Sequence, residues 1–384
     1  MRGILTIERG EVYDPQPLGE RNLIAGGGRT LAVEAAAGSM GLPRERHIDA
    51  GGLRVIPGLI DQHLHLIGGG DGNGISGRVP ELDARTVLAG GTTTAVGVLG
   101  VETVTRGLLL LLRKTQELRA GGLSAFMYTA GMPLPAQNML GTVFADVSLI
   151  DQVLGAKTAI SESLHPNTDP HLLAALAGEL MRARTMTGKA AVLHCHVGGL
   201  EAALEPLFAL HEKLRMPLAQ IVPTHVNRTE AFSPVFAHAM RFAEMGGIID
   251  LTCCVSRIDG NPTGIDIPDA VRRCLDAGLP IERITFSSDA NVPVAVRAAD
   301  GSLSGYRTAP PSVLFRDLMR LVREAELPLE TALLPVTTNP ARVLGLVGRK
   351  GAIRPGYDAD YVLIDPSDRI RYVIAGGEIV FEAE

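Results

Sequence analysis

From residue 55 onward, short apolar runs alternate with longer segments whose apolar positions recur at helical spacing. The runs are 55–65, 92–99, 124–129, 156–161, 190–196, 220–225, 247–252 and 284–289. Between most of them lie amphipathic stretches: 104–119, 170–187, 199–213, 231–244 and 269–277. Glycine pairs such as Gly121-Gly122 and Gly246-Gly247 stop several of these stretches. Eight strand–helix units in succession predict a closed parallel barrel, the (β/α)₈ fold. An open doubly wound sheet is the runner-up. It would be favoured by a G-x-G-x-x-G after the first strand, whereas Gly68-Gly69-Gly70 follows two histidines and lacks that spacing.

Outside this region the texture differs. Residues 1–54 alternate short β-like runs with Gly- and Pro-rich turns, and the last forty residues are β-like again at 360–364, 370–375 and 378–381. Two helical segments, 311–324 and 329–344, precede them. The simplest assembly joins 1–54 and 344–384 into one small β-domain beside a barrel of 55–343.

Composition narrows the reading. Of 384 residues, 46 % are apolar and 20 % charged, ordinary for a soluble globular protein. A net charge of −6 without any basic run argues against nucleic acid as a partner. The first residues carry charges too often for a signal peptide, and no apolar run has the length of a transmembrane helix. Cys195, Cys253, Cys254 and Cys274 form no C-x-x-C pair and read as small buried residues in a reduced, cytoplasmic compartment.

The chemistry sits at the strand ends. Asp61-Gln62-His63-Leu64-His65 closes the first run, and side chains two apart on a strand share a face, so His63 and His65 can grip one cation. Two histidines that merely pack are the plainer alternative. Lys157 lies in a strand that is otherwise apolar. Burial penalises its charge unless that charge is removed or paired. Reaction with CO₂ would make it an anionic carbamate able to bridge two metal ions; the alternative is a lysine that snorkels to the barrel mouth. His196 ends the fifth run and His194 shares its face; the position nearer the strand end makes His196 the candidate ligand and His194 a lower-layer or supporting residue. His225 and Asp289 end the sixth and eighth runs, where each could also serve as a polar helix cap. Together the six form one ring, which suits two zinc ions sharing a hydroxide, with Asp289 able to take a proton from it. The other histidines, His47, His165, His171, His211 and His238, fall on expected loops or helix surfaces.

The order H-x-H, Lys, His, His, Asp resembles the binuclear branch of the amidohydrolase superfamily. The segments IDQHLHLIGGG, PTHVNR and FSSDAN, with Gly100 after the second strand, are similar to the isoaspartyl dipeptidase family over essentially the whole chain. The C-terminal Thr337–Ala341 stretch TTNPA and the stretch PGYDAD at 355–360 are shared superfamily signatures. The resemblance implies a (β/α)₈ barrel with a small β-sandwich and two Zn²⁺ held by His63, His65, Lys157, His196, His225 and Asp289. It also implies a small-molecule substrate and a symmetric homo-oligomer.

Arg228 matches the family's carboxylate-binding arginine. Its other substrate contacts differ: the glutamate that receives the α-amino group falls near Gly72, beside Asp71, and the tyrosine that polarises the scissile carbonyl falls at Met132. A second arginine falls at Leu164, a threonine at Val101 and a serine at Pro293. A zwitterionic ligand loses charged partners at such a site, which costs several kcal/mol when it is desolvated. The expected function is therefore hydrolysis of a linear or cyclic amide in a small amino-acid-derived substrate, in a pocket diverged from isoaspartyl dipeptidase. Asp71, Met132 and Arg228 are the expected substrate contacts. A genuine isoaspartyl dipeptidase is the alternative. A deaminase is disfavoured by Lys157, and a degenerate scaffold by the complete ring.

Overall fold

The computed structural model describes residues 3–35, 45–69, 77–228, 234–255, 257–261, 263–297 and 302–383. The chain begins with β1 (Leu5–Asp14), β2 (Gln16–Gly26), β3 (Arg29–Glu34), β4 (Arg46–Asp49) and β5 (Arg54–Pro57). It then winds through β6 (Leu59–Leu64), β7 (Thr92–Gly97), β8 (Ser124–Ala130), β9 (Val153–Ile160), β10 (Val192–Val197), β11 (Ile221–Thr224), β12 (Ile249–Thr252) and β13 (Ile284–Ser287). A hairpin, β14 (Pro293–Arg297) and β15 (Leu303–Thr308), follows, and β16 (Tyr361–Ile364), β17 (Ile370–Ala375) and β18 (Glu378–Glu382) end the chain.

β6 to β13 pair in sequence order as one parallel eight-stranded sheet. Asp289 N–H donates to the His63 carbonyl at 3.0 Å and His65 N–H to the Ala290 carbonyl at 3.2 Å, which brings β13 back to β6 and nearly closes the barrel. Both faces of these strands are buried, as a parallel sheet wrapped by helices requires. Inside the barrel, Ile60, Val96, Tyr128, Val192 and Val222 pack with Val343, Leu344 and Leu346.

The second sheet joins the two ends of the chain, in the order β18-β17-β16-β5-β1-β2-β3, with β4 beside β1. The apolar run 55–60, which reads as a single strand, is divided between the two sheets at Gly58. Gly58 N–H donates to Asp360 of the small sheet at 2.9 Å, and the next amide, Leu59, donates to Gly91 at the barrel wall at 3.0 Å. A Cβ at Gly58 would lie 2.2 Å from Thr93 Oγ1, so a larger residue does not fit the crossing.

Other differences are local. The 329–344 segment is not one helix: it divides into Leu329–Ala332, a 3₁₀ turn Leu334–Val336 and Thr338–Val343, interrupted at Pro335 and Thr337. His47 lies in β4, where its ring pairs with Glu8 at 2.9 Å, not on a loop or helix. The β14–β15 hairpin has no counterpart in the sequence reading, because its residues carry no sustained alternation.

Candidate metal centre

The reactive side chains gather at the C-terminal ends of the barrel strands, the place where such barrels keep them. His63 is on β6, and His65 stands one residue beyond it. Strict alternation breaks here: a register irregularity between Asp61 and Leu64 lets the adjacent Gln62 and His63 both make contacts across the barrel. Gln62 donates to Asp250 on β12 at 2.6 Å, while His63 Nδ1 meets His194 Nε2 on β10 at 2.8 Å.

Asp289 is the hub. Its Oδ1 lies 3.1 Å from His65 Nε2 and 3.3 Å from His63 Nε2, and its Oδ2 lies 3.9 Å from His225 Nδ1. His63, His225 and Asp289 offer ligand atoms that all fall within 4.8 Å of one another. His225 (φ 64°) and Asp289 (φ 49°) sit just past their strands in the left-handed region, and Ala130 (φ 63°) and Ser161 (φ 52°) adopt it at the ends of β8 and β9. Such backbone costs on the order of 1–3 kcal/mol per residue and concentrates at working sites. Here it turns the side chains of His225 and Asp289 inward.

Lys157 is buried, its Nζ donating to the Leu99 carbonyl at 2.9 Å and lying 3.3 Å from His63 Nε2. Burial pushes its pKa down to about 8, which eases formation of the neutral amine that reaction with CO₂ requires, although the ammonium still predominates at pH 7. His196 packs edge-on against His225 with ring centroids 4.6 Å apart. Its Nε2 faces Glu162 Oε2 at 3.0 Å and Arg228 Nη1 at 3.5 Å. The structure thus gathers His63, His65, Lys157, His225 and Asp289 at one point and sets His196 against them on the rim side.

The electrostatics suit a cation. Burial depresses the pKa of His63, His65 and His225 and takes His196 down to about 4, so all four rings are neutral with a lone pair available. Burial alone would raise the Asp289 carboxyl, but His225, His65 and Lys157 outweigh it and hold the group ionised. His65 Nδ1 is buried without a hydrogen-bond partner among the described residues. Neutral imidazoles and an ionised carboxylate are the protonation states that metal binding demands, and the donor set fits zinc.

Support comes from beneath. Asp250 accepts from Gln62 (2.6 Å), Thr285 (2.7 Å), Thr224 (2.7 Å) and Ser287 (2.5 Å), binding four strands together. Thr252 Oγ1 meets His225 Nδ1 at 2.8 Å.

The substrate side is less uniform. Arg228 is exposed at the mouth, Met132 is buried in the loop after β8, and Leu164 is 62 % exposed. Asp71 lies outside the described residues. Sequence reasoning missed Glu162, two residues past β9, although an acidic residue directly after a barrel strand is the signal it used for Asp289. The hydrogen bond from His196, outweighing burial, holds the Glu162 carboxyl down at about 2. It also missed Arg106, a buried guanidinium in the loop after β7 whose Nη2 donates to the Val79 carbonyl at 2.5 Å.

A nearly closed parallel barrel with histidines, a lysine and an aspartate at its strand ends defines the class. The chain belongs to the amidohydrolase family, whose model matches residues 54–380, and is a hydrolase acting on carbon–nitrogen bonds. A β-aspartyl dipeptidase from Fervidobacterium islandicum AW-1, solved in complex with the β-Asp-Leu dipeptide, is 31 % identical with a TM-score of 0.88, over 99 % of this chain and 97 % of that one. Imidazolonepropionase of Rhizobium meliloti (strain 1021) is 24 % identical over 90 % of this chain and 86 % of its own length. A match to N-acetylglucosamine-6-phosphate deacetylase of Bos taurus reaches 41 % identity but spans 15 % of this chain and 14 % of that enzyme.

Proposed function

We propose that this amidohydrolase is a binuclear, zinc-dependent enzyme that cleaves a linear or cyclic amide bond in a small amino-acid-derived substrate. The observation that carries the reading is the interlocked set around Asp289, with Lys157 Nζ 3.3 Å from His63 Nε2. His63, His65 and Asp289 would hold one cation, and His196 and His225 the other, with Lys157 between them as a carbamate. Two such cations supply Lewis-acid polarisation of the carbonyl and a water of lowered pKa.

The protein's own residues do the rest. Asp289 accepts the proton that the attacking water loses, and it returns that proton to the leaving nitrogen as the C–N bond breaks. Ionisation at neutral pH fits it to the first half of that role. Arg228 at the mouth pairs with a substrate carboxylate. Met132 offers an apolar wall with no hydrogen bond for the carbonyl, whose polarisation the cations held by the ring would supply. Asp71 remains a candidate for the substrate's amino group.

A genuine isoaspartyl dipeptidase is the second reading. It is favoured by the full-length likeness to the Fervidobacterium enzyme and by Glu162, a carboxylate beside Arg228 that restores an opposite charge to the mouth. A small-molecule substrate, a cytoplasmic location and a homo-oligomer complete the proposal. Four buried free cysteines support a reducing compartment, and no helix among the described residues is long and apolar enough to cross a membrane.

The deciding experiment is kcat/KM of zinc- and bicarbonate-loaded protein on β-aspartyl-leucine, small lactams and N-acyl amino acids, with metal content measured on the same sample. Two metals with turnover of lactams or N-acyl amino acids supports the first reading. Efficient dipeptide hydrolysis supports the second. Absence of bound metal overturns both.

A further inference from the structure

His194 is fully buried on β10 and stands beside Lys157 in the register with β9. Its Nε2 is 2.8 Å from His63 Nδ1, the rings meeting at 62° with centroids 5.0 Å apart. Its face stacks on Tyr128 at 5.0 Å and 21°. His194 Nδ1 has no hydrogen-bond partner among the described residues. The other nitrogen of His63, Nε2, looks into the centre, 3.3 Å from Asp289 Oδ1.

A 2.8 Å contact between two neutral imidazoles holds one hydrogen, and its owner decides the tautomer of both rings. If His194 Nε2 donates, His63 must carry its hydrogen on Nε2, and that nitrogen has no lone pair for a cation. If His63 Nδ1 donates, its Nε2 lone pair is open and His194 carries its hydrogen on Nδ1. Only the second arrangement lets His63 act as a ligand.

We propose that His194 is a positioning residue: it accepts from His63 Nδ1 and so fixes the ring angle and the cation-binding tautomer of His63. This rests on the metal-centre reading above. The acceptor behind a metal-binding histidine is ordinarily a carboxylate or carbonyl. At position 194 a carboxylate would stand beside Lys157 and pair with its ammonium, competing with the metal for both residues. A neutral imidazole accepts the same hydrogen without adding charge, and stacking on Tyr128 holds it in place.

The test compares His194→Leu with His194→Gln, whose side-chain carbonyl reaches the place of Nε2. Zinc affinity is read by chelator competition, and the melting temperature of the metal-free protein reports on folding separately. Leucine is expected to lower affinity 10–100-fold, glutamine to recover most of the loss, and both metal-free variants to melt near the parent. Selective ¹⁵N-histidine NMR of the zinc-loaded parent should show His63 and His194 both protonated on Nδ1, a readout that does not depend on either variant folding. Unchanged affinity in the leucine variant, equal weakening by both substitutions, or a hydrogen on His63 Nε2 in the loaded protein overturns the proposal. A parent chain that binds no divalent cation overturns the metal-centre reading itself.

Discussion

The ring of strand ends and the rim of loops above it occupy the same mouth of the barrel and are built on different principles. Each residue of the ring lies on a strand or within two positions of its end, is buried or, for Asp289, largely so, and touches another ring member or the layer beneath. His63 bonds His194, His225 bonds Thr252, and His63 and His65 share Asp289. On the rim, Arg228 is exposed, Leu164 is an uncovered apolar side chain, and Glu162 answers Arg228 across His196. Strand geometry leaves the ring little freedom, since a displaced ligand would also break a ladder or a buried hydrogen bond. Loops tolerate change, and specificity resides there. Likeness to a relative therefore transfers the chemistry more securely than the substrate.

That contrast can be broken by substitution. Asp289→Asn should lower kcat by on the order of 10²–10⁴ while both metals stay bound, measured as turnover against metal content; a variant that keeps parental kcat removes Asp289 from the reaction. Lys157→Met should come next, cutting metal from two ions to one per chain and reducing activity in step, as plasma emission and kinetics on one sample would show.

Acid sensitivity sharpens the comparison from the other side. Each ring histidine has a folded pKa below its ordinary value of 6.5, so protonation favours the unfolded chain. Their contribution to the metal-free protein is complete above pH 6.5 and is lost as pH falls, through about 4 for His196. Each depressed histidine contributes a slope of about 1.4 kcal/mol per pH unit within its interval. Melting of metal-free protein between pH 7 and 4 should fall steeply, and a flat profile would refute the buried neutral state. The smallest effect belongs to the rim. Arg228→Met should raise KM about 10–100-fold for a carboxylate-bearing substrate, the loss of a charge-assisted contact of about 1.5–3 kcal/mol, with metal content and melting unchanged.

What the sequence disclosed follows the same division. Short apolar runs alternating with helical segments made the barrel legible, and the His, Lys or Asp in or at the end of several runs marked the candidate ring, because a strand fixes where its last side chain goes. The pairing of His63 with His194 was not legible, since it needs the break in alternation at Gln62 and a contact between strands that are not neighbours. Gly58 hid a change of sheet inside one apolar run, because the pattern of burial is the same on both sides of it. Glu162 was passed over because the run at 156–161 already held Lys157 as its candidate, and an acidic residue after a strand is as readily read as a solvated loop residue.

The small sheet has a consequence for how the protein is made. β5 pairs on one edge with β1, which leaves the ribosome with it, but on the other edge with β16, where Pro57 stands opposite Tyr361. The 303 residues between these two positions take about 15–60 s to synthesise at ordinary elongation rates. Throughout that interval Val55 and Ile56, fully buried in the finished protein, present an unpaired strand edge. A nascent chain with the whole barrel translated but β16 still inside the exit tunnel should bind chaperones that capture extended apolar segments, and emergence of β16 should end that binding.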